Sequence, residues 1–349
     1  NGTLYWRLGI PGPVTVADGT LYNIEQERGG FPELVFRDPA TAAVETSKTL
    51  PHEPGNLSPV VANGRVFVTT VEEVICFDAT SGAQLWRSPS MSGLTGVPIV
   101  SDGTVIVNAT DPISLRAFDA ESGREAWQYE LRTWQRQPTP AVGENRAFVC
   151  DRDGLHAIDL TSGETAYVNR DLAADTGQEL TIDTGTAVVR DNIVYVITAD
   201  GTLVAAETTD GTVRWQRSVS SDSIRDPRID TITARPDVVP LVVSDDVVYA
   251  PGESGLVALD PTDGSLITRA SAARPRRLDG DVLYATRGSE TLSALDTAND
   301  LDTLWTVNLN AVEPPIDPEG SHVGHVTPVD GAVYVSDWNA LFGIGPTQK

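Results

Sequence analysis

Asp78-Ala79-Thr80-Ser81-Gly82-Ala83-Gln84-Leu85-Trp86 decides the fold, because the chain repeats it. It returns as Asp119-Ala120-Glu121-Ser122-Gly123-Arg124-Glu125-Ala126-Trp127, and more loosely as Asp159-Leu160-Thr161-Ser162-Gly163 leading to Tyr167. Glu207-Thr208-Thr209-Asp210-Gly211 leads to Trp215, and Asp260-Pro261-Thr262-Asp263-Gly264 leads to Thr268. Each copy lies between two apolar runs, such as Val74-Ile75-Cys76-Phe77 before and Leu85-Trp86 after. That is the pattern of two strands joined by a tight turn. The Asp side chain accepts backbone N–H bonds from the turn, and the Gly supplies the positive φ that closes it. The Trp four residues on has the area to bury against a neighbouring copy, and its indole N–H needs a partner.

A second period runs through the chain. Hairpin-type turns stand at Asp18-Gly19, Asn63-Gly64, Asp102-Gly103, Glu144-Asn145, Asp191-Asn192, Asp245-Asp246, Asp279-Gly280 and Asp330-Gly331. Each precedes a short β-rich run, such as Arg65-Val66-Phe67-Val68 or Ala332-Val333-Tyr334-Val335. Asp-Gly and Asn-Gly between apolar runs are strong hairpin signals. These eight turns imply eight units, and a unit of roughly 40–50 residues with several strands marks a propeller or similar array. The expected fold is all-β: an eight-bladed β-propeller of four-stranded antiparallel blades in one domain, 1–349. Trp6 and the residues before it read as the second half of a motif whose first half is missing, and the C-terminus ends the other way. The last blade is therefore expected to be split between about 325–349 and 1–8, so that the N-terminal strand completes the C-terminal blade and closes the ring. Closure removes open sheet edges. The first unit is degenerate: Asp38-Pro39-Ala40-Thr41-Ala42 lacks the Gly and has Thr46 in the place of Trp. In the seventh, Ala294-Leu295-Asp296 is followed by an insertion before Trp305.

The copies Ala117-Phe118-Asp119 to Trp127 and Ala258-Leu259-Asp260 to Gly264 resemble the pyrroloquinoline-quinone (PQQ) repeat, roughly Ala-x-Asp-x-x-Thr-Gly-x-x-x-Trp, over essentially the whole chain. The resemblance implies an eight-bladed propeller. It spans two branches: quinoprotein dehydrogenases that bind PQQ and calcium, and non-enzymatic propellers such as the lipoprotein scaffold of the outer-membrane β-barrel assembly machinery. Quinoprotein alcohol dehydrogenases typically carry adjacent cysteines, whereas Cys76 and Cys150 are far apart here. The reading favoured is a non-enzymatic, extracytoplasmic binding or scaffolding propeller at the cell surface or secreted, with no cofactor. The alternative is a PQQ-dependent dehydrogenase-like or sugar-processing enzyme with PQQ and calcium. A purely structural surface protein is a third reading.

The formal net charge is −24, with 49 carboxylates against 25 Lys and Arg. Such a charge keeps a chain soluble while repelling itself, and salt screens the repulsion, which points to a halophilic source. It also argues against nucleic acid, which needs a basic face. Both cysteines sit in apolar runs and read as buried free thiols. No run approaches a membrane span. The start at Asn1 suggests a removed leader and leaves room for a lipid anchor there.

The repeat's Asp, Gly and Trp read as structural: Asp78, Gly82, Trp86, Asp119, Gly123, Trp127, Asp159, Gly163, Trp215, Asp260, Gly264, Trp305 and Trp6. Function is expected on the face opposite the turns, in the connections 168–184, 218–237 and 308–324 between units and 24–34 and 107–114 within them. There Trp134, Arg136, Arg225, Arg228, Arg235, His322, His325 and Trp338 stand out. Arg beside aromatics suits an anionic, planar or protein partner. The bland reading has the Args paired with Asp222, Asp226 and Asp230. His322 and His325 with Asp317 or Glu319 form a weak metal pattern. Asp151-Arg152-Asp153-Gly154 imitates the start of a calcium loop but lacks the later ligands, and reads as a hairpin turn. Asn1-Gly2-Thr3, Asn56-Leu57-Ser58 and Asn108-Ala109-Thr110 have the form of glycosylation sequons. No nucleophile elbow, phosphate loop or dinucleotide fingerprint occurs.

Overall fold

The computed structural model describes residues 2–8, 14–26, 30–55, 58–132, 140–151, 153–172, 187–197, 201–219, 241–252, 255–271, 274–287, 291–309, 325–329, 332–336 and 341–346. The strands form eight four-stranded sheets, the blades of an eight-bladed β-propeller. The helix among the described residues is one 3-10 turn, Arg170–Leu172. In seven blades the strands follow chain order across the sheet. In the eighth, the N-terminal strand Gly2–Leu8 lies antiparallel to Leu341–Pro346, with Gly2 opposite Pro346 and Leu8 opposite Leu341. The two chain ends thus share one sheet, as the half-motif at Trp6 implied.

Contacts group the chain into two compact units, 1–100 with 118–125 and 277–349, and 101–117 with 126–276. In the first, Tyr22, Phe36 and Leu34 of blade one interleave with Val66, Ile75 and Phe77 of blade two. In the second, Phe148 and Leu155 of blade four meet Val194 and Val204 of blade five. Tyr195 and Trp215 of blade five meet Val248 and Leu259 of blade six. The middle strands are therefore covered on both faces, which is why Val66–Val68 and Val74–Phe77 read as unbroken apolar runs. The fourth strands are half exposed and alternate, as in Glu125–Glu130.

Five of the eight hairpin turns have both residues at φ between 47° and 76°: Asp18-Gly19, Asn63-Gly64, Asp102-Gly103, Glu144-Asn145 and Asp191-Asn192. That geometry matches the twist of the strands it joins. At Asp245-Asp246 the loop is instead closed by Ser244, whose N–H donates to Val247 O at 2.9 Å and whose Oγ accepts Val247 N–H at 3.0 Å. The seventh turn falls one residue later than expected. Asp279 ends the strand Arg274–Asp279, and the bend is at Gly280. Asp330-Gly331 lies outside the described residues.

The repeated nonapeptide is the turn between third and fourth strands. Asp78 Oδ1 accepts the N–H of Ser81 at 2.7 Å and its hydroxyl at 2.7 Å, while Gly82 N–H donates to Asp78 O at 2.9 Å with φ at 64°. Asp119 and Ser122 repeat this, as do Asp159 and Ser162. In blade one Ala42 takes the Gly position at φ 59°, so that degenerate copy keeps the turn. Asp260 accepts Thr262 N–H at 2.7 Å.

Each aromatic then reaches the next blade. Trp86 Nε1 donates to Ala120 O at 3.0 Å, Trp127 to Leu160 O at 2.7 Å and Trp215 to Pro261 O at 2.8 Å. Tyr167 does the same with its hydroxyl, to Glu207 O at 3.1 Å. Blade one lacks the Trp, and Tyr22 of its second strand donates to Ala79 O at 3.0 Å instead. Tyr334 of blade eight likewise reaches Pro39 O at 3.2 Å. The acceptor is always the carbonyl of the motif acid or of the residue after it. The ring also lies flat on the next blade's motif Gly: a Cβ at Gly163 would stand 2.6 Å from Trp127 Cγ, and one at Gly264 2.6 Å from Trp215 Cε3. Gly therefore serves twice, for positive φ and as the floor beneath a neighbour's indole. Trp305 of blade seven packs on Tyr284 of its own blade, with centroids 6.0 Å apart.

A β-bulge aims these rings. Cys76 pairs with Trp86 but Phe77 with Gln84, so Leu85 is an extra residue. The same shift leaves Ala166, Arg214, Ile267 and Leu304 unopposed in blades four to seven. A bulge bends the strand and redirects its side chains.

Candidate functional site

Seven of the eight loop residues singled out for ligand or partner binding, Trp134, Arg136, Arg225, Arg228, Arg235, His322 and Trp338, lie outside the described residues. Asp222, Asp226, Asp230, Asp317 and Glu319 do too. His325 opens the first strand of blade eight, with its backbone opposite Ser336. The expected loop at 107–114 is a tight turn: the strands Thr104–Thr110 and Ile113–Asp119 leave two residues between them. Asn108 is buried within the first, so this sequon offers no accessible side chain. The Asp151–Gly154 stretch is a hairpin turn, with Asp151 paired to Gly154. Both cysteines are free and buried, and burial pushes each thiol up to about 12, so neither is a ready nucleophile.

What the described residues do build lies at the blade ends opposite the motif turns. In blades one and two, the connection 26–32 and the turn at 70–73 carry the exposed apolar residues Phe31 and Val71, 72% and 37% accessible. A shared segment ties them: Gln26 Nε2 donates to both Glu53 carboxylate oxygens at 2.9 and 2.8 Å, and Val71 N–H donates to Glu53 O at 3.0 Å. Beneath them the buried Glu73 carboxylate accepts Arg87 Nε at 2.5 Å and stands 3.2 Å from His52 Nε2. Glu72 flanks the patch, accepting Ser90 Oγ at 3.2 Å. Each of the two blade ends thus carries one exposed apolar side chain, and Glu53 links the two ends. Phe31 escaped the sequence reading because no periodic pattern marks a single loop aromatic.

A second arrangement spans blades three and four. Asp151 Oδ1 lies 2.6 Å from His156 Nε2, and His156 Nδ1 lies 2.8 Å from the Tyr129 hydroxyl. Thr165 Oγ1 donates to Tyr129 at 3.1 Å. The remaining Asp151 lone pairs take the N–H groups of Arg132 at 2.9 Å and Asp153 at 2.8 Å. Burial alone would raise the Asp151 carboxyl. The His156 bond, the two amides and the His156 charge outweigh it and hold the group below the usual carboxylate range. In the neutral form of the ring, an ionised Asp151 takes Nε2–H and leaves Nδ1 to accept from Tyr129. The sequence held a signal for this clamp. His156 fills a slot, three residues before the motif acid, that holds Ile75, Val204 and Val257 in other blades.

Among the described residues, no three His, Cys, Asp or Glu side chains come together to hold a metal ion. No helix there is long and apolar enough to cross a membrane.

The family described as outer membrane protein assembly factor BamB matches residues 1–166 and 133–340. Among curated relatives of that name, the protein of Yersinia pestis is 27% identical over 173 residues, 46% of this chain and 44% of that one. The protein of Moranella endobia is 26% identical over 298 residues, 77% of this chain and 72% of that one. The match thus spans less than half the length of the Yersinia relative. Among solved structures, BamB from Moraxella catarrhalis superposes with a TM-score of 0.71 at 15% identity, over 99% of this chain and 100% of that one. A europium-containing methanol dehydrogenase superposes with a TM-score of 0.69 at 12% identity, over 99% and 93%. At such identities the superpositions show a shared fold.

Proposed function

We propose that this chain, which belongs to the family of the outer membrane protein assembly factor BamB, works outside the cytoplasm as a non-enzymatic scaffold that docks a protein partner at the ends of its blades opposite the motif turns. The extracytoplasmic setting and the scaffolding role come from the family's description. The observation that carries the docking reading is the exposed Phe31 with Val71 on a framed, acidic end of blades one and two. Exposed apolar surface rimmed by polar groups marks an interaction site. The motif residues are spent on turns and blade locking, so the repeat itself offers no reactive group. A quinone cofactor is not expected: a planar tricarboxylate needs cationic partners and an oxygen-lined calcium site, against a net charge of −24.

Two measurements test the reading. A photo-crosslinking residue placed at Phe31 in the native host should give a discrete protein adduct, and one at the exposed Thr80 on the turn end should not. Equal labelling at both positions removes the docking site. Titration with PQQ and calcium, followed by tryptophan fluorescence, should show no saturable quenching tighter than about micromolar. Nanomolar saturation would replace the scaffold with a quinoprotein enzyme.

A further inference from the structure

We infer that Tyr129 is a redox-active residue: it gives one electron to an outer-sphere one-electron oxidant while its phenolic proton passes to Nδ1 of His156. The inference does not depend on the docking site around Phe31. Tyr129 lies on the fourth strand of blade three, Glu125–Glu130, and His156 on the third strand of blade four, Gly154–Asp159. The Tyr129 oxygen and His156 Nδ1 are 2.8 Å apart, and Asp151 Oδ1 stands 2.6 Å from Nε2 on the other side of the ring. Thr165 Oγ1 donates to the phenol oxygen at 3.1 Å, which leaves the phenol's own proton for the ring. Tyr22, Tyr167 and Tyr334 also reach across a blade boundary, but each donates to a backbone carbonyl, which takes up no proton near neutrality. Tyr129 instead faces a base. Blade packing does not require that base, because the slot of His156 holds Ile75, Val204 or Val257 in other blades.

The oxidant takes one electron from the phenol ring. The Tyr129 O–H bond breaks, an N–H bond forms at His156 Nδ1, and the products are a neutral tyrosyl radical, an imidazolium and the reduced oxidant. A phenol with no proton acceptor must pass through its radical cation, a strong acid that is costly to form. Transfer along an existing hydrogen bond to a positioned base avoids that species. Charge favours the same direction. The new positive charge arrives on a ring that already faces the Asp151 carboxylate, whose side chain is 1% exposed. The other contacts of that carboxylate are the N–H groups of Arg132 and Asp153, so all its neighbours suit the ionised form. Oxidation thus gives a buried carboxylate a cationic partner. In a molecule of net charge −24 the surrounding potential also favours loss of an electron. Electron return from a one-electron reductant sends the proton back to the phenol. Tyr129 is half-buried and Thr165 beside it exposed, so the phenol lies near the surface, within reach of a diffusible oxidant that needs no pocket.

The test uses the full chain at neutral pH and flash-generated tris(bipyridine)ruthenium(III), a cationic one-electron oxidant drawn to an acidic surface. The tyrosyl radical is read by its optical band and by electron paramagnetic resonance. The native protein should form it, and more slowly in deuterium oxide than in water, because the proton moves with the electron. Tyr129→Phe should remove most of the signal. His156→Gln, which places no base beside the phenol, should slow radical formation about tenfold or more. A purely structural clamp would lower the melting temperature of both variants without changing which residue is oxidised. The variants are compared at a temperature where circular dichroism shows each of them folded. If His156→Gln does not fold, the isotope effect on the native chain still decides. No tyrosyl radical in the native protein, an undiminished signal in Tyr129→Phe, an equal rate in His156→Gln, or no isotope effect would each overturn the inference.

Discussion

At the scale of single residues, the motif Gly carries two constraints that substitution can separate. Gly103 sits at φ 76° with nothing within 4 Å of an added Cβ, so Gly103→Ala should cost about 1 kcal/mol from backbone strain alone. At Gly163, φ is 71° and a Cβ would stand 2.6 Å from Trp127. Overpacking adds about 1–3 kcal/mol to the same strain, so Gly163→Ala should melt well below Gly103→Ala in denaturant titrations. The indole N–H groups separate in the same way. Ala120 O accepts Trp86 at 3.0 Å and also Arg65 Nη1 at 2.7 Å, so Trp86→Phe leaves it bonded. Leu160 O accepts Trp127 at 2.7 Å. Trp127→Phe should be the costlier of the pair, by about 1 kcal/mol in equilibrium unfolding. Asp151 gives the pH dependence. Its folded carboxyl titrates below the ordinary range, so its stabilisation is complete above about pH 4 and fades as pH falls through the lowered value. The turn carboxylates of Asp78 and Asp119, lowered first by the Ser81 and Ser122 hydroxyls, act with the same sign. Melting temperature should therefore drop steeply in acid. Asp151→Asn should flatten that drop while lowering stability at neutral pH.

At the scale of elements, the fourth strand matters most, because its bulge turns an edge residue into a lock on the next blade. The pairing shift after Ala205 leaves Arg214 outside and swings Trp215 onto Pro261 and Gly264. The N-terminal strand is the other decisive element. It pairs with Leu341–Pro346 from Gly2 to Leu8, and without it that strand becomes an open edge that invites aggregation. A chain lacking residues 1–8 should melt lower and elute as aggregates in size-exclusion chromatography. Wild-type melting and a monodisperse peak would show that the strand contributes nothing. The fourth-strand turns were legible because Asp-x-x-Ser-Gly is a local code. The bulges were not, since an extra residue shows only against the partner strand.

At the scale of the whole molecule, the charge of −24 sets the response to salt. Screening shortens to about 3 Å at molar ionic strength, so self-repulsion falls and the melting temperature should climb from dilute buffer to molar KCl. A flat profile would remove the halophilic reading. The sequence by itself determined the all-β class, the eight-unit count and the four-stranded blades. Those follow from turns and strand periods, which are governed by residues close together in the chain. Only the tertiary structure decided which carbonyl each aromatic meets, that Tyr22 stands in where blade one lacks its Trp, that Tyr334 reaches Pro39, and that Asn108 is buried. It alone placed Phe31 and Ile267 in the open and joined Asp151 to His156 and Tyr129. Exposure and partnership belong to pairs of blades, and no run of neighbouring residues encodes the surface another blade will present.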